Sequence, residues 1–158
     1  MITLETVGHD PSPCYPLFTE PDFYFCTLIP DLLSDRELQD LIDPQALLCR
    51  RDGIPAGLIV LPLPDDGYRT HYGLQARFSR DCPLEDAVTA VQEALRALIT
   101  FRPVHRISHE VCEVDQRGIE LAEAIGLQLE GTLPGALTVA GGHHGIRYYS
   151  KLFEETDA

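Results

Sequence analysis

The run VHRISHEVCEV, residues 104–114, places a histidine, a glutamate and a cysteine within four positions: His109, Glu110 and Cys112. Imidazole titrates near neutral pH, so a histidine in a polar strand is a natural proton acceptor. If the run is a strand its side chains alternate, and Glu110 and Cys112 then share one face while His109 takes the other. Cys112 reads more readily as a core thiol than as a nucleophile, which would need a lowered pKa. A second alternating run, THYGLQARFS, carries His71. Tyr148 and Tyr149 fall on opposite faces of the last strand, so at most one of them serves a given site. The adjacent His143 and His144 likewise point apart, which does not suit a shared metal, and no metal is expected.

The stretch RFSRDCPLEDAV, residues 77–88, reads as a strand that turns into a helix. The first turn of a helix presents unpaired N–H groups and the positive end of its dipole, a combination that holds phosphate. Such turns usually use glycine, which lets backbone approach the ligand closely, and here there is none. Arg77 and Arg80 supply charged donors instead, while Asp81, Pro83 and Glu85 work against an anion. The expectation is weak anion binding, by the Arg80 side chain more than by backbone, with help from the N–H groups near Leu84 and Glu85. The competing reading is a well-capped structural helix.

These residues must be positioned by the elements around them. MITLETV reads as a strand, and a proline-rich irregular segment follows, with FYFCTLI as a strand or buried loop. SDRELQDLID is a short helix with a capping box, Ser34 and Glu37. ALLCRRDGIPAGLIVLPL is a hairpin turning at Asp52-Gly53, and PDDGYR is a further turn. From Pro83 to about Thr100 the period becomes helical, with Leu84, Ala87, Val88, Val91, Leu95, Leu98 and Ile99 on one face. DQRGIELAEAIGL is another helix ended by Gly126, and the last two strands join at Gly141-Gly142. The order predicts an α/β (α+β) fold: a mixed sheet of six or seven strands with helices on both faces. Residues 74–79 and 105–114 should run parallel, joined by a right-handed crossover, and diverge at their C-terminal ends.

The chain has 158 residues, which suits a single domain spanning 1–158, and 44% hydrophobic residues to build a core. Its net charge of −13 argues against nucleic acid and anionic membrane surfaces and favours cationic partners such as amines. No apolar run is long enough to span a bilayer, and the first ten residues do not form a signal peptide. Five widely spaced cysteines without CxxC read as reduced thiols, hence a cytoplasmic location.

The segment VHRISHEVCEVDQRGIELAEAIGLQLEGTLPGALTVAGGHHGIRYYSKL resembles the GCN5-related N-acetyltransferases (GNAT), and within them the group that acetylates ribosomal-protein N-termini. The likeness rests on a strand, an Asn-type turn at Asp115, a helix ending Ile125-Gly126-Leu127, Glu130-Gly131-Thr132, a glycine hairpin and a final strand with Tyr149, and it covers residues 47–152. It implies acetyl-CoA, or another acyl-CoA, as co-substrate, and a small-molecule amine or peptide N-terminus as acceptor. It also implies that pyrophosphate sits on the turn that the family writes Gln/Arg-x-x-Gly-x-Gly/Ala and this chain writes Arg77-Phe78-Ser79-Arg80-Asp81-Cys82. The matching cofactor-binding positions are Gln75, Ala76, Arg77, Arg80, Cys82, Leu84 and Asp115, with backbone near residues 75–77 serving the acyl carbonyl. The usual proton donors of the family fall on Gly118 and Ala122, and its hairpin aspartate on Gly145. His71, His109, Glu110 and Tyr149 are therefore the catalytic candidates. Strand edges in this fold often pair, so a homodimer is one expectation. The alternative is a GNAT-fold protein with a degenerate CoA site that does not acetylate and acts as a binding module or an enzyme with other chemistry.

Overall fold

The computed structural model describes residues 1–28, 32–62 and 70–154. The expected turn at PDDGYR lies outside them. Eight strands form two four-stranded sheets among the described residues, where six or seven strands in one sheet were expected; the mixed α/β class is as read. The chain divides into two compact units, Met1–Val60 with Gln75–Val91 and Leu61–Leu74 with Gln92–Ala158.

The first unit holds β1 (Ile2–Thr6), β2 (Leu47–Arg51), β3 (Ile54–Val60) and β5 (Gln75–Phe78), in the order β1-β2-β3-β5 and antiparallel throughout. The β2–β3 hairpin turns where expected, with Asp52 and Gly53 both at positive φ, 51° and 84°. Both central residues of that tight turn must adopt the left-handed region, which glycine does without steric cost. The proline-rich segment folds as a 3-10 helix, Ser12–Thr19, with Pro16 inside it. After it the chain forms the buried loop of the two alternatives, and Phe23 and Phe25 enter the core beside Cys14, Leu17, Leu38 and Leu58. Phe18 meets Phe23 edge-on at 5.0 Å between centroids. Burial pushes the Cys14 and Cys26 thiols up to about 11, so neither is a ready nucleophile. Helix α1 (Asp35–Leu41) starts at the expected capping box, with the Ser34 hydroxyl accepting from Glu37 N and the Glu37 carboxylate accepting from Ser34 N.

The second unit holds β4 (His71–Gly73), β6 (Arg106–Cys112), β7 (Gln128–Val139) and β8 (Gly142–Leu152), in the order β4-β6-β8-β7. Helix α3 (Gln116–Ala124) starts at Asp115, whose Oδ1 accepts from Gly118 N at 3.1 Å. The β7–β8 turn sits one residue earlier than expected: Ala140 and Gly141 carry its positive φ angles, 49° and 79°. Helix α2 (Leu84–Phe101) begins in the first unit and ends in the second. Its most buried residues are Ala87, Ala90, Val91 and Ala94, while Leu84 is 44% exposed. Small side chains let a helix backbone lie close to its neighbours, so the alanines, not the leucines, mark its inner face.

Parallel pairing occurs, but earlier than expected. It joins β4 to β6, with His71 opposite Arg106 and Gly73 opposite Ser108. Residues 75–78 leave that partner and pair antiparallel with β3, Val60 opposite Gln75 and Gly57 opposite Phe78. One continuous extended run, residues 71–78, thus changes partner at Leu74.

Candidate active site

A residue at a change of strand partner risks leaving its backbone groups without acceptors or donors, and Leu74 is only 1% exposed. Its N–H donates to the Ser108 carbonyl at 2.7 Å. Its carbonyl accepts from Nδ1 of His109 at 2.7 Å. A carbonyl only accepts, so Nδ1 carries the proton and Nε2 is the basic nitrogen of the neutral ring. His109 is 7% exposed. The local sequence explains its direction: alternation along β6 sends Ile107, His109 and Val111 to the covered face, with Ile107 and Val111 buried beside it.

The four catalytic candidates divide between the two faces of this sheet. His109 is directly opposite Tyr149 in register, so the two share the covered face. Tyr149 is 1% exposed, and its hydroxyl accepts from Arg147 at 3.3 Å. His71 and Glu110 take the other face. There His71 Nε2 lies 2.8 Å from the Ser108 hydroxyl, and Glu110 is opposite Tyr148. Arg106 pairs with Glu130 on this side, and Glu130 also accepts from Ser150, an interaction that holds its carboxyl below the usual range. The structure therefore groups His109 with Tyr149, and His71 with Ser108 and Glu110. Ser108 had no signal in the sequence beyond its place in the strand.

The positions that the resemblance assigns to proton donors, Gly118 and Ala122, and to the hairpin aspartate, Gly145, are filled by contacts. A Cβ on Gly118 would lie 2.3 Å from Asp115 Oδ2 and 2.9 Å from Val111 Cγ1. Ala122 is fully buried. A Cβ on Gly145 would lie 2.8 Å from Thr132 Cγ2. None of the three has room for a larger side chain without local repacking. Asp115 is spent as the cap of α3. His144 turns toward Glu113, 3.6 Å away, and His143 toward Thr138, 3.4 Å away.

In the first unit, β5 is the end strand of its sheet, so Gln75, Ala76 and Arg77 lie along a sheet edge. The turn that follows is bound to residues 20–24. Arg77 is 4% exposed, donates to the Asp22 carbonyl at 2.7 Å and stacks over the Tyr24 ring at 5.0 Å. Arg80 N donates to both carboxylate oxygens of Glu20, at 3.0 and 3.2 Å. The Arg80 guanidinium meets Asp22 Oδ1 at 3.1 Å from Nε, with a second approach at 3.0 Å, and this partner raises its already high pKa further. Asp81 N donates to the Ser79 hydroxyl and Cys82 N to the Ser79 carbonyl. Cys82 is half-buried, its thiol 3.7 Å from the Pro83 carbonyl. Every N–H of residues 80–82 thus has an internal acceptor, and Pro83 has none to give. Glu20, Asp22 and Tyr24 were not read from the sequence as site residues. Their distance of about sixty positions from Arg80 carries no periodic signal, and only the opposite charges hinted at the pairing.

No family model matches the sequence, and no curated protein matches it. Solved structures do match over nearly the whole chain. An acetyl transferase from Salmonella typhimurium that modifies the N-terminal serine of ribosomal protein L7/L12 superposes with a TM-score of 0.80 at 12% identity, covering 97% of this chain and 95% of that one. A spermidine N-acetyltransferase from Vibrio cholerae, in complex with CoA and spermine, gives 0.77 at 16% identity over 96% and 95%. A GNAT-family acetyltransferase from Bacillus anthracis gives 0.76 at 14% over 96% and 94%. With two units, a parallel β4–β6 pair joined through α2, and this agreement along its length, the chain has the fold of the GCN5-related N-acetyltransferases.

Proposed function

We propose that this chain is an N-acyltransferase that moves an acetyl or other acyl group from an acyl-CoA thioester to an amine. The observation that carries the reading is the imidazole of His109, fixed by its Nδ1–H on the Leu74 carbonyl at the residue where the strand changes partner. In the reaction the amine nitrogen attacks the thioester carbonyl carbon, the C–N bond forms, the C–S bond breaks, and the thiolate leaves. Nε2 of His109 accepts the amine proton. The backbone N–H of Ala76, the one of residues 75–77 that alternation turns away from β3, polarises the carbonyl as its oxygen gains charge. Tyr149, opposite His109 in register, is the group on the same face that returns a proton to the thiolate. His71 and Glu110 lie on the other face and belong to acceptor binding in this scheme rather than to the proton transfer.

The acceptor is a small-molecule amine or a peptide N-terminus. The net charge of −13 favours a cation approaching the protein, and the neighbours include one that acts on a protein N-terminus and one that acts on spermidine. In this reading residues 1–158 act as one domain, in the cytoplasm, without nucleic acid or membrane partners, and self-association is through a sheet edge. No helix of the described residues is long and apolar enough to cross a membrane. The test is incubation with acetyl-CoA and a panel of spermidine, lysine and serine-starting peptides, followed by thiol release and by mass of the acceptor. Transfer is expected to at least one class. His109→Gln should lower kcat about a hundredfold or more, the usual worth of a positioned base. Transfer that survives His109→Gln unchanged removes His109 from the chemistry.

A second reading is favoured by one observation, the Glu20 carboxylate on the N–H of Arg80. It is that of a fold relative that does not acetylate. Millimolar acetyl-CoA should raise the melting temperature of an acyltransferase by mass action and leave a non-binder unmoved.

A further inference from the structure

The turn of residues 79–83, which the acyltransferase reading assigns to the donor's diphosphate, already holds an anion of this chain's own. The Glu20 carboxylate sits on the N–H of Arg80 with both oxygens, 3.0 and 3.2 Å away, as a phosphate oxygen would. Asp22 takes the Arg80 guanidinium, and the Asp22 carbonyl with the Tyr24 ring takes that of Arg77. We infer that residues 20–24 are an acidic strap that closes this turn, so that a diphosphate enters it only by displacing Glu20 and Asp22. The inference rests on the acyltransferase reading for the identity of the ligand, but not for the closure itself.

Three physical points support closure. First, the backbone donors of residues 80–82 are spent. Glu20 holds Arg80 N, and Ser79 holds the N–H groups of Asp81 and Cys82. Second, the charge is of the wrong sign. Glu20, Asp22, Asp81, Glu85 and Asp86 outnumber Arg51, Arg77 and Arg80 in the segments that meet here, and Arg51 is itself paired with Asp86 at 2.8 Å. A dianion brought to the turn is repelled unless the strap leaves. Third, the strap is anchored by its aromatic side chains rather than by its carboxylates. Phe23 and Phe25 are buried in the core, while the Arg80–Asp22 pair is half-exposed, with side-chain exposures of 57% and 27%. Its carboxylates can therefore exchange for a ligand without unfolding the core. The missing loop glycine fits the same picture. An arginine in its place carries the side chain that ties the strap down.

The experiment is calorimetry with CoA and with inorganic pyrophosphate, on the full chain and on three variants. These are Glu20→Gln/Asp22→Asn, Glu20→Ala, and the double variant with Arg80→Ala added. Thermal unfolding confirms that each is folded. The Gln and Asn side chains keep shape and hydrogen-bond acceptors, so they remove charge with little else. The strap predicts that the double variant binds CoA at least about tenfold more tightly than wild type, the worth of a charge-assisted contact regained, and that Glu20→Ala moves the same way. Adding Arg80→Ala should abolish the gain. Equal binding by wild type and the double variant, whether both bind or neither does, overturns the strap. So does a gain that persists without Arg80. Acyl transfer is scored separately. A double variant that gains CoA but acylates no amine overturns the function proposed above and leaves the strap standing. A wild type that turns over acetyl-CoA, with no gain in the double variant, overturns the strap alone.

Discussion

Replacing Gly118 by alanine or serine tests whether this chain's own packing closes that position to a larger side chain. The residue lies in the first turn of α3, its N–H bonded to Asp115 Oδ1. An added Cβ would sit 2.3 Å from Asp115 Oδ2, 2.9 Å from Asp115 Cγ and 2.9 Å from Val111 Cγ1. Val111 is buried and β-branched, with little rotamer freedom to yield. Asp115 can rotate away, but only by giving up the helix cap. Alanine in place of glycine gains about 1 kcal/mol of helix propensity. Against it stand the lost cap, about 1 kcal/mol, and overpacking against Val111, about 1–3 kcal/mol. The net is a loss of about 2 kcal/mol, or about 4–8 °C in Tm for a chain of this length. Calorimetric or circular-dichroism melting of Gly118→Ala reads it directly. Gly118→Ser should fall by a similar amount and add nothing to the rate of acyl transfer, because its hydroxyl arrives on a displaced backbone. A Gly118→Ala protein as stable as wild type, or a Gly118→Ser protein that turns over faster, refutes the reasoning.

Gly57→Ala should be costlier, about 3 kcal/mol or more in urea unfolding, since its Cβ would meet Phe78 Cδ1 at 2.3 Å and the Arg77 carbonyl at 2.9 Å. Backbone in the β3–β5 ladder cannot yield as a flexible side chain would, so a loss below about 0.5 kcal/mol contradicts the β3–β5 pairing. Stability should also fall on acidification below about pH 4.5. Glu130 is held low by Ser150 and then Arg106, Glu37 by the Ser34 backbone, and Asp52 by the N-terminal ammonium. A carboxyl with a folded pKa below its unfolded one contributes stability above the unfolded value and loses it as pH drops through the folded one. Denaturant midpoints taken from pH 7 to pH 3 check this, and a midpoint that rises steadily through that range contradicts it.

Much of the local structure was legible in the residues. Ser34 and Glu37, three positions apart, define a capping box in any context, and Asp52-Gly53 between two apolar runs defines a tight hairpin turn. The shift from period two to period 3.6 after Pro83 locates α2, and Asp115 followed by helix formers locates the cap of α3. The alternation that sets His109 apart from Glu110 was equally readable. Each of these rules acts within about four residues, the reach of one helical turn or one hairpin. The order strand, helix, strand suggested a parallel crossover. The strand just before α2, however, pairs antiparallel with β3, and the parallel partner of β6 is the shorter β4 ahead of it.

What lay beyond that reach was decided by tertiary structure. Nothing near Leu74 marks it as the residue where one strand changes partner, because the partners, Ser108 and Val60, approach from either side in sequence. Which face of β6 is covered follows from packing, so alternation could separate His109 from His71 but not choose between them. Gly118 and Gly145 read as lost functional groups until the neighbours that fill their space were known. The turn at residues 77–82 shows this most clearly. Its arginines look like donors waiting for a phosphate, yet Glu20 and Asp22 reach them from 60 and 58 positions away. A charge pair across such a distance depends on closing a long loop, and the free energy that closes it comes from burying Phe23 and Phe25 in the core, not from the charges.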